Sequence, residues 1–566
     1  MKISHYILSL TIFAAAFSSC SDDYLSLRSD DANISMEKLY RTYSYVQNTL
    51  WDVYNKLPDG FSTFGMEGAT DNAEFTNEGS TIQKFNMGTW DQFSNPDDIW
   101  SKSYKGIRMS NMYLENCGKI NIEYIKGGLT STDSSSYYNA KKNIKFMRGE
   151  FMFLKAYLYF ELVKRYGAVP ILTKTLDYDD ATTWNTVQRN SVDEVMKHIV
   201  TLCDSAALII PVNVNTSDTW YAKGRVTRGG ILALKSRVTL YAASKQFTDA
   251  GSTGTWAQAA AAAKAVMDLG QYSLVSGANY NKLFGSSNTT QSEYIFGRNY
   301  GATNNLEFAN FPVVVDGNTG KSLTPSQNLV DAFEVKGTPS VPFDWSNETH
   351  KANIYSNRDY RFNAAIVYNG VTYNSKVIYT YTGGTSGLPN TNATKTGYYL
   401  GKYIQTGINL TSNTTAIHAW NYFRYAEILL NYAEAMFNAY GAEGLPAGYT
   451  VTALAAINQV RTRAGLSALT AAQLTQAKIE NERRVEFCFE DHRYWDVRRW
   501  GKAEATFGTA NPIKKIVITN TGTVAAPTYT YSVQTLESRV FTSKMNWYPI
   551  LQSEINKTDW TQNTGW

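Results

Sequence analysis

Histidine and cysteine are both scarce in this chain of 566 residues, which has five of the first and four of the second. His5 falls in the leading segment, and His198, His350, His418 and His492 are scattered, with no H-E-x-x-H and no paired C-x-x-C spacing. A zinc site therefore has no support, and neither metal nor cofactor is expected. With Cys20 set aside, Cys117, Cys203 and Cys488 are odd in number, so no disulfide framework can use them all, and they read as small buried apolar residues. No G-x-S-x-G elbow is present for serine catalysis. The stretch GNTGKS from Gly317 to Ser322 fails as a phosphate loop, because Val315 stands where a glycine is needed and no hydrophobic helix follows. Charge is also sparse and balanced, with 53 basic against 49 acidic residues and a net charge of +4. Loss of residues 1–19, which hold one lysine, lowers that net charge to +3. A nucleic-acid footprint needs far more positive charge than this.

The apolar run from Tyr6 to Phe17 spans 12 residues. It is too short for a transmembrane helix, which needs about 20. Lys2 before it and Ser18 and Ser19 after it complete a secretory signal, and cleavage before Cys20 would expose that thiol for lipidation. Residues 1–19 are thus read as a lipoprotein signal peptide, residues 20–35 as a lipidated tether, and residues 36–566 as a single domain. Tyrosine and tryptophan are plentiful, at 39 and 13. Their flat apolar faces and polar tips suit a core, a protein interface or a sugar platform equally.

Helical periodicity recurs along the chain. In residues 143–167, Met147, Phe151, Leu154, Leu158 and Leu162 share one face, Gly167 supplies a C-cap and Pro170 blocks continuation. Residues 191–208 open on a capping box of Ser191 and Glu194. Further pairs are 228–247 with 256–269, 421–440 with 452–464, and 36–57 with 97–117. Recurring pairs of this kind predict a mainly α fold of stacked, tetratricopeptide-like units forming a right-handed helical-repeat scaffold over about 36–275 and 420–503. Gly, Asn, Thr and Ser dominate about 276–419, and with 58–95 and 504–566 these segments read as loop-rich, ligand-bearing insertions containing small β-hairpins, one of them around 516–531.

A charged helix is expected at 478–500. Glu482 and Glu486 lie one turn apart there, a pair of carboxylates such as a glycosidase uses, but Arg483, Arg484, Arg493, Arg498 and Arg499 interleave with the acids. Structural salt bridges to neighbouring loops are the simpler reading, and no enzyme is expected.

Four blocks in order resemble the SusD/RagB outer-membrane nutrient-binding lipoproteins. They are Cys20 with SDDYL; RGEFMFLKAYLYFELVKRYGAVPI from Arg148 to Ile171; the stretch from Arg424 to Gly501 holding RYAEILLNYAEA, NQVRTRAGL and IENERRVEFCFEDHRYWDVRRWG; and YPILQSEINKTDWTQNTGW from Tyr548 to Trp566. Thr564 departs from the usual proline of the closing motif. Ser21, Asp22 and Asp23 are similar to the acidic export tag of surface lipoproteins in the Bacteroidetes. The resemblance implies a lipid-anchored cell-surface protein on the outer membrane that hands oligo- or polysaccharide to a SusC-like TonB-dependent transporter. A peptide ligand, or less readily a glycoside hydrolase, are the alternatives. Residues 61–95 set Phe61, Phe64, Phe75 and Trp90 beside Asp71, Asn72 and Asn86. By analogy with the family's ligand loops, Trp90, Tyr300 and Trp345 are expected to stack on sugar, and Asp71, Asn72 and Arg298 to make polar contacts.

Overall fold

Periodic apolar stripes become helices here because each can bury its face on the next helix in the chain. The computed structural model describes residues 36–127, 131–176, 186–213, 224–315 and 322–566. Cys20, the signal segment, the tether and most of the GNTGKS stretch lie outside the described residues. The principal helices are α1 (Tyr43–Tyr54), α2 (Trp100–Asn116), α3 (Ser131–Tyr166), α4 (Val192–Ala207), α5 (Arg228–Ala242), α6 (Trp256–Met267), α7 (Tyr425–Tyr440), α8 (Ala453–Arg463), α9 (Gln476–Glu486) and α10 (Arg493–Arg499). From α2 to α8, each helix packs on its successor. This serial stacking is the repeat scaffold that the helix pairs predict.

The centre of the stack is α3. All five residues of its predicted stripe are buried, and so are Phe153, Tyr159, Phe160 and Val163 on its other faces. From Glu150 onward α3 is enclosed on nearly every side, its few charged groups paired or hydrogen-bonded, whereas its first turns stay exposed. Gly167 ends it with φ of +71°, the left-handed conformation that glycine adopts without steric cost. The capping box at Ser191 forms, and Thr255 with Gln258 makes a second one at the start of α6.

Two predicted boundaries change for local reasons. Residues 421–424, expected to begin a helix, belong instead to the buried strand β2 (Ala419–Arg424), which pairs antiparallel with β1 (Tyr294–Asn299). The ladder satisfies that strand's backbone while every side chain in it is buried. The single charged helix expected at 478–500 is two helices, α9 and α10, because Phe489 and Asp491 take φ of +65° and +60°. The hairpin near 516–531 is β3 (Ile513–Asn520) with β4 (Tyr529–Glu537).

Buried ion pairs join the helical half to the loop-rich half. Arg424 meets Glu293, Glu486 and Glu490, while Arg361 meets Asp359, Glu482 and Glu486. Arg463 also reaches Glu486, and Lys402 reaches Glu490 at 2.6 Å. Glu482 and Glu486 are 1% and 0% exposed. Enclosed by guanidinium groups, they hold loops in place and are not open to a substrate.

Candidate functional site

The turn Pro58-Asp59-Gly60 and the ends of β1 and β2 build one partly open aromatic cluster. Tyr422 on β2 donates its hydroxyl to the Pro58 carbonyl at 2.7 Å, which fixes the turn against the sheet. A Cβ on Gly60 would fall 2.0 Å from the Trp420 ring, so only glycine lets the chain approach this closely. That approach seats Phe61 in the centre, with ring centroids 5.0 Å from Tyr300, 5.3 Å from Tyr403 and 5.5 Å from Trp420. Tyr403 and Trp420 stack at 5.3 Å and form a buried inner layer, whereas Phe61 and Tyr300 form a half-buried outer one.

Polar groups rim the outer layer. Just past β1, Tyr300 is held by its amide donating to the His418 carbonyl at 3.0 Å and its hydroxyl donating to Asp59 at 2.7 Å. Burial first, then the nearby Tyr422 hydroxyl and the Asp59 carboxylate, keep its phenol protonated far above the ordinary tyrosine range. The Arg298 guanidinium lies 4.9 Å from the Tyr300 ring centroid. Below, Glu307 accepts from the Gln405 amide at 2.8 Å and lies 2.9 Å from His418 Nε2. A flat apolar face ringed by a carboxylate and a guanidinium can hold a ligand with apolar C–H faces and hydroxyl edges. Among the described residues, no cluster of His, Cys, Asp and Glu suits a metal ion.

Of the six residues expected to bind ligand, only Arg298 and Tyr300 come together at this cluster. Trp345 is half-buried elsewhere, its indole N–H donating to Asp331 at 3.1 Å and its ring 5.1 Å from Phe343. Among the described residues it makes no ring contact or hydrogen bond with Arg298, Tyr300 or Phe61.

The other three are buried, and the expectation for them is corrected. Trp90 is 2% exposed, packed 4.7 Å from Trp566, 4.8 Å from Phe85 and 4.9 Å from Tyr548. The closing segment that carries Trp566 is pinned to the end of α3, where Asn563 donates to the Tyr166 carbonyl at 2.9 Å. Trp90 therefore offers no face to a sugar. Asn72 donates to Glu67 at 2.6 Å and accepts from Arg484 at 2.7 Å. Asp71 pairs with Arg484 at 2.8 Å and Arg493 at 2.9 Å. Burial opposes its ionisation, but the two guanidiniums outweigh this and hold the carboxyl below its usual range.

Asp71→Ala is accordingly expected to lower stability by on the order of 3 kcal/mol, because it leaves two largely buried guanidiniums without their carboxylate. Denaturant titration measures that loss. Ligand affinity per folded molecule should be unchanged, and a selective loss of affinity would return Asp71 to the ligand site.

Asp59, which adjoins Tyr300 in this candidate site, is absent from the residues that the sequence singles out, and Phe61 enters there only as one aromatic among several. The Pro-Asp-Gly turn signal was the one available hint, since it marks a loop but not what the loop touches.

Two family models match the chain, one described as the SusD family over residues 289–566 and one as starch-binding, associating with outer membrane, over residues 23–240. The chain is 22% identical over 445 residues to SusD-like protein P2 of Formosa agariphila, covering 75% of each. Among solved structures, a SusD-like protein from Bacteroides fragilis is 26% identical with a TM-score of 0.76, covering 94% of this chain and 99% of its own. A laminarin-binding SusD-like protein is 22% identical with a TM-score of 0.59, covering 93% and 99%. With the two models meeting the helical half and the loop-rich half in turn, and the shared fold running nearly end to end, this chain belongs to the SusD/RagB family.

Proposed function

We propose that this protein is a surface lipoprotein of the outer membrane, anchored through Cys20, that captures oligo- or polysaccharide and delivers it to a SusC-like TonB-dependent transporter. The ligand lies on Phe61 and Tyr300, with Arg298 and Asp59 addressing its hydroxyl groups. Trp345 forms a separate contact point for a longer chain.

The observation that carries this reading is the half-buried Phe61–Tyr300 pair, backed by a rigid aromatic layer and rimmed by opposite charges. Preorganised rings lose little side-chain entropy on binding, which favours stacking over adaptable contacts. The glycan-binding description of the laminarin-binding relative and the starch-binding description of the family model support the ligand class. No bond is broken in this scheme, because the paired carboxylates at Glu482 and Glu486 are sealed in ion pairs.

The test is native affinity electrophoresis of the mature chain in gels containing plant, host or microbial polysaccharides. Retardation by one glycan class, with no change in product length, is the expected result. Shortened chains would show a hydrolase, and retention of peptides but no glycan would show a peptide carrier.

A further inference from the structure

We infer that the face formed by residues 117–127 and the first turns of α3 docks on the phosphate-bearing lipid surface of the membrane that holds the anchor. This rests on the reading of Cys20 as that anchor. Residues 117–148 contain six basic side chains (Lys119, Lys126, Lys141, Lys142, Lys145 and Arg148) against two acidic ones, Glu123 and Asp133. That segment alone carries a net charge of +4, as much as the whole chain. The basic charge of the protein is thus concentrated here while the remainder is neutral.

The structure gathers this charge on one surface. Lys126 pairs with Glu123 at 2.5 Å and lies 4.6 Å from the ring centroid of Tyr137, whose hydroxyl donates to Glu123 at 3.2 Å. Lys141 acts electrostatically on the same carboxylate, drawing the Glu123 carboxyl downward after the Lys126 hydrogen bond has done so. Tyr138, Lys141, Lys145 and Arg148 recur at helical spacing on the exposed side of α3. Tyr124 and Tyr138 are 62% and 65% exposed. Large rings left in water beside lysines suit a membrane interface, where the ring meets the headgroup boundary and the ammonium groups meet phosphate.

Chain path brings this face to the membrane. The described chain starts at Met36 in a short helix that ends at Arg41, and the Arg41 carbonyl accepts from the Asn121 amide at 3.0 Å. Fifteen residues separate Cys20 from Met36. Fully extended they reach about 55 Å, so an anchor at Cys20 lies within that distance of the Met36 end, which packs beside this face. Attraction to anionic lipid would then fix the orientation of the molecule on its anchor.

The test uses residues 20–566 with Cys20→Ser, so that no acyl chain contributes, in flotation with vesicles of phosphatidylcholine alone or of equal parts phosphatidylcholine and phosphatidylglycerol. Binding to the anionic vesicles is expected to be at least about tenfold stronger, and to be lost as salt shortens the screening length. The variant K119E/K126E/K141E/K145E should remove this preference with its circular dichroism and glycan retardation unchanged. Equal binding to both vesicle types, or a variant that keeps the preference, overturns the inference. A variant that binds vesicles normally but loses the transporter in co-purification also overturns it, and assigns the face to a protein. Acyl labelling of the full chain against Cys20→Ala tests the anchor separately, so its failure is distinguishable from a failure of surface docking.

Discussion

Glu486→Gln is expected to lower the stability of this protein by about 3–5 kcal/mol, the cost of breaking a buried ion pair by removing one charge. The carboxylate lies at the junction of Arg361, Arg424 and Arg463, all nearly inaccessible. Glutamine keeps the shape but leaves three guanidiniums sharing fewer acceptors, Glu293, Glu482 and Glu490 among them. Burial alone would raise the Glu486 pKa, but Arg463, Arg424 and Arg361 outweigh it and hold it well below the usual carboxylate value. The sign follows from that depression: the stabilisation is fully present above the unfolded-state pKa and is lost as pH falls through the lower folded-state value. Denaturant midpoints measured from neutral pH downward should therefore fall steeply for the wild type once pH drops below the unfolded-state carboxylate range. In Glu486→Gln they should start lower and fall less over that window. Equal stability of the two proteins at neutral pH would sink the idea that this junction holds the two halves together.

Tyr300→Ala is expected to weaken glycan binding about tenfold or more, equivalent to about 1.4 kcal/mol. The substitution removes half of the outer aromatic layer together with the hydroxyl that aligns Asp59. It leaves the Tyr403–Trp420 stack beneath untouched, so the fold should persist. Tyr300→Phe separates the two contributions: the stacking face remains while the Asp59 hydrogen bond is lost. Affinity of the phenylalanine variant should lie much closer to wild type, and isothermal titration with the glycan identified by electrophoresis can rank the three proteins. If alanine and wild type bind equally, the Phe61–Tyr300 surface is not the binding site. Trp345→Ala tested beside them would then report on the separate patch near Asp331.

The two tests address different levels of the same molecule. Glu486 lies where the loop-rich insertion is bolted to the helices, and Tyr300 lies just past β1, whose partner strand β2 ends at Arg424 in that junction. A rigid junction therefore underlies the site, in which strand ends and a glycine turn set ring positions that no local sequence preference specifies.

Much of the scaffold could be read from the chain itself because helices are governed by nearby residues. The stripe from Met147 to Leu162, the stop at Gly167 and the capping box at Ser191 each depend on partners within a few turns. The charge pattern of the C-terminal motif likewise showed that Glu482 and Glu486 would be paired, since guanidiniums interleave with them. What escaped was every matter decided by distant approach. Whether Trp90 is a platform or core depends on Trp566, the last residue of the chain, folding back across it. Whether Asp71 meets ligand or framework depends on Arg484 and Arg493 arriving from α9 and α10. Nothing near Tyr300 in sequence announces that Asp59 and Phe61 will meet it, because hydrogen bonding and ring stacking have no sequence period. The amino-acid sequence by itself thus determined most of the helices and the family. Only the tertiary structure decided which aromatic faces remain open, because burial is a property of the assembled chain.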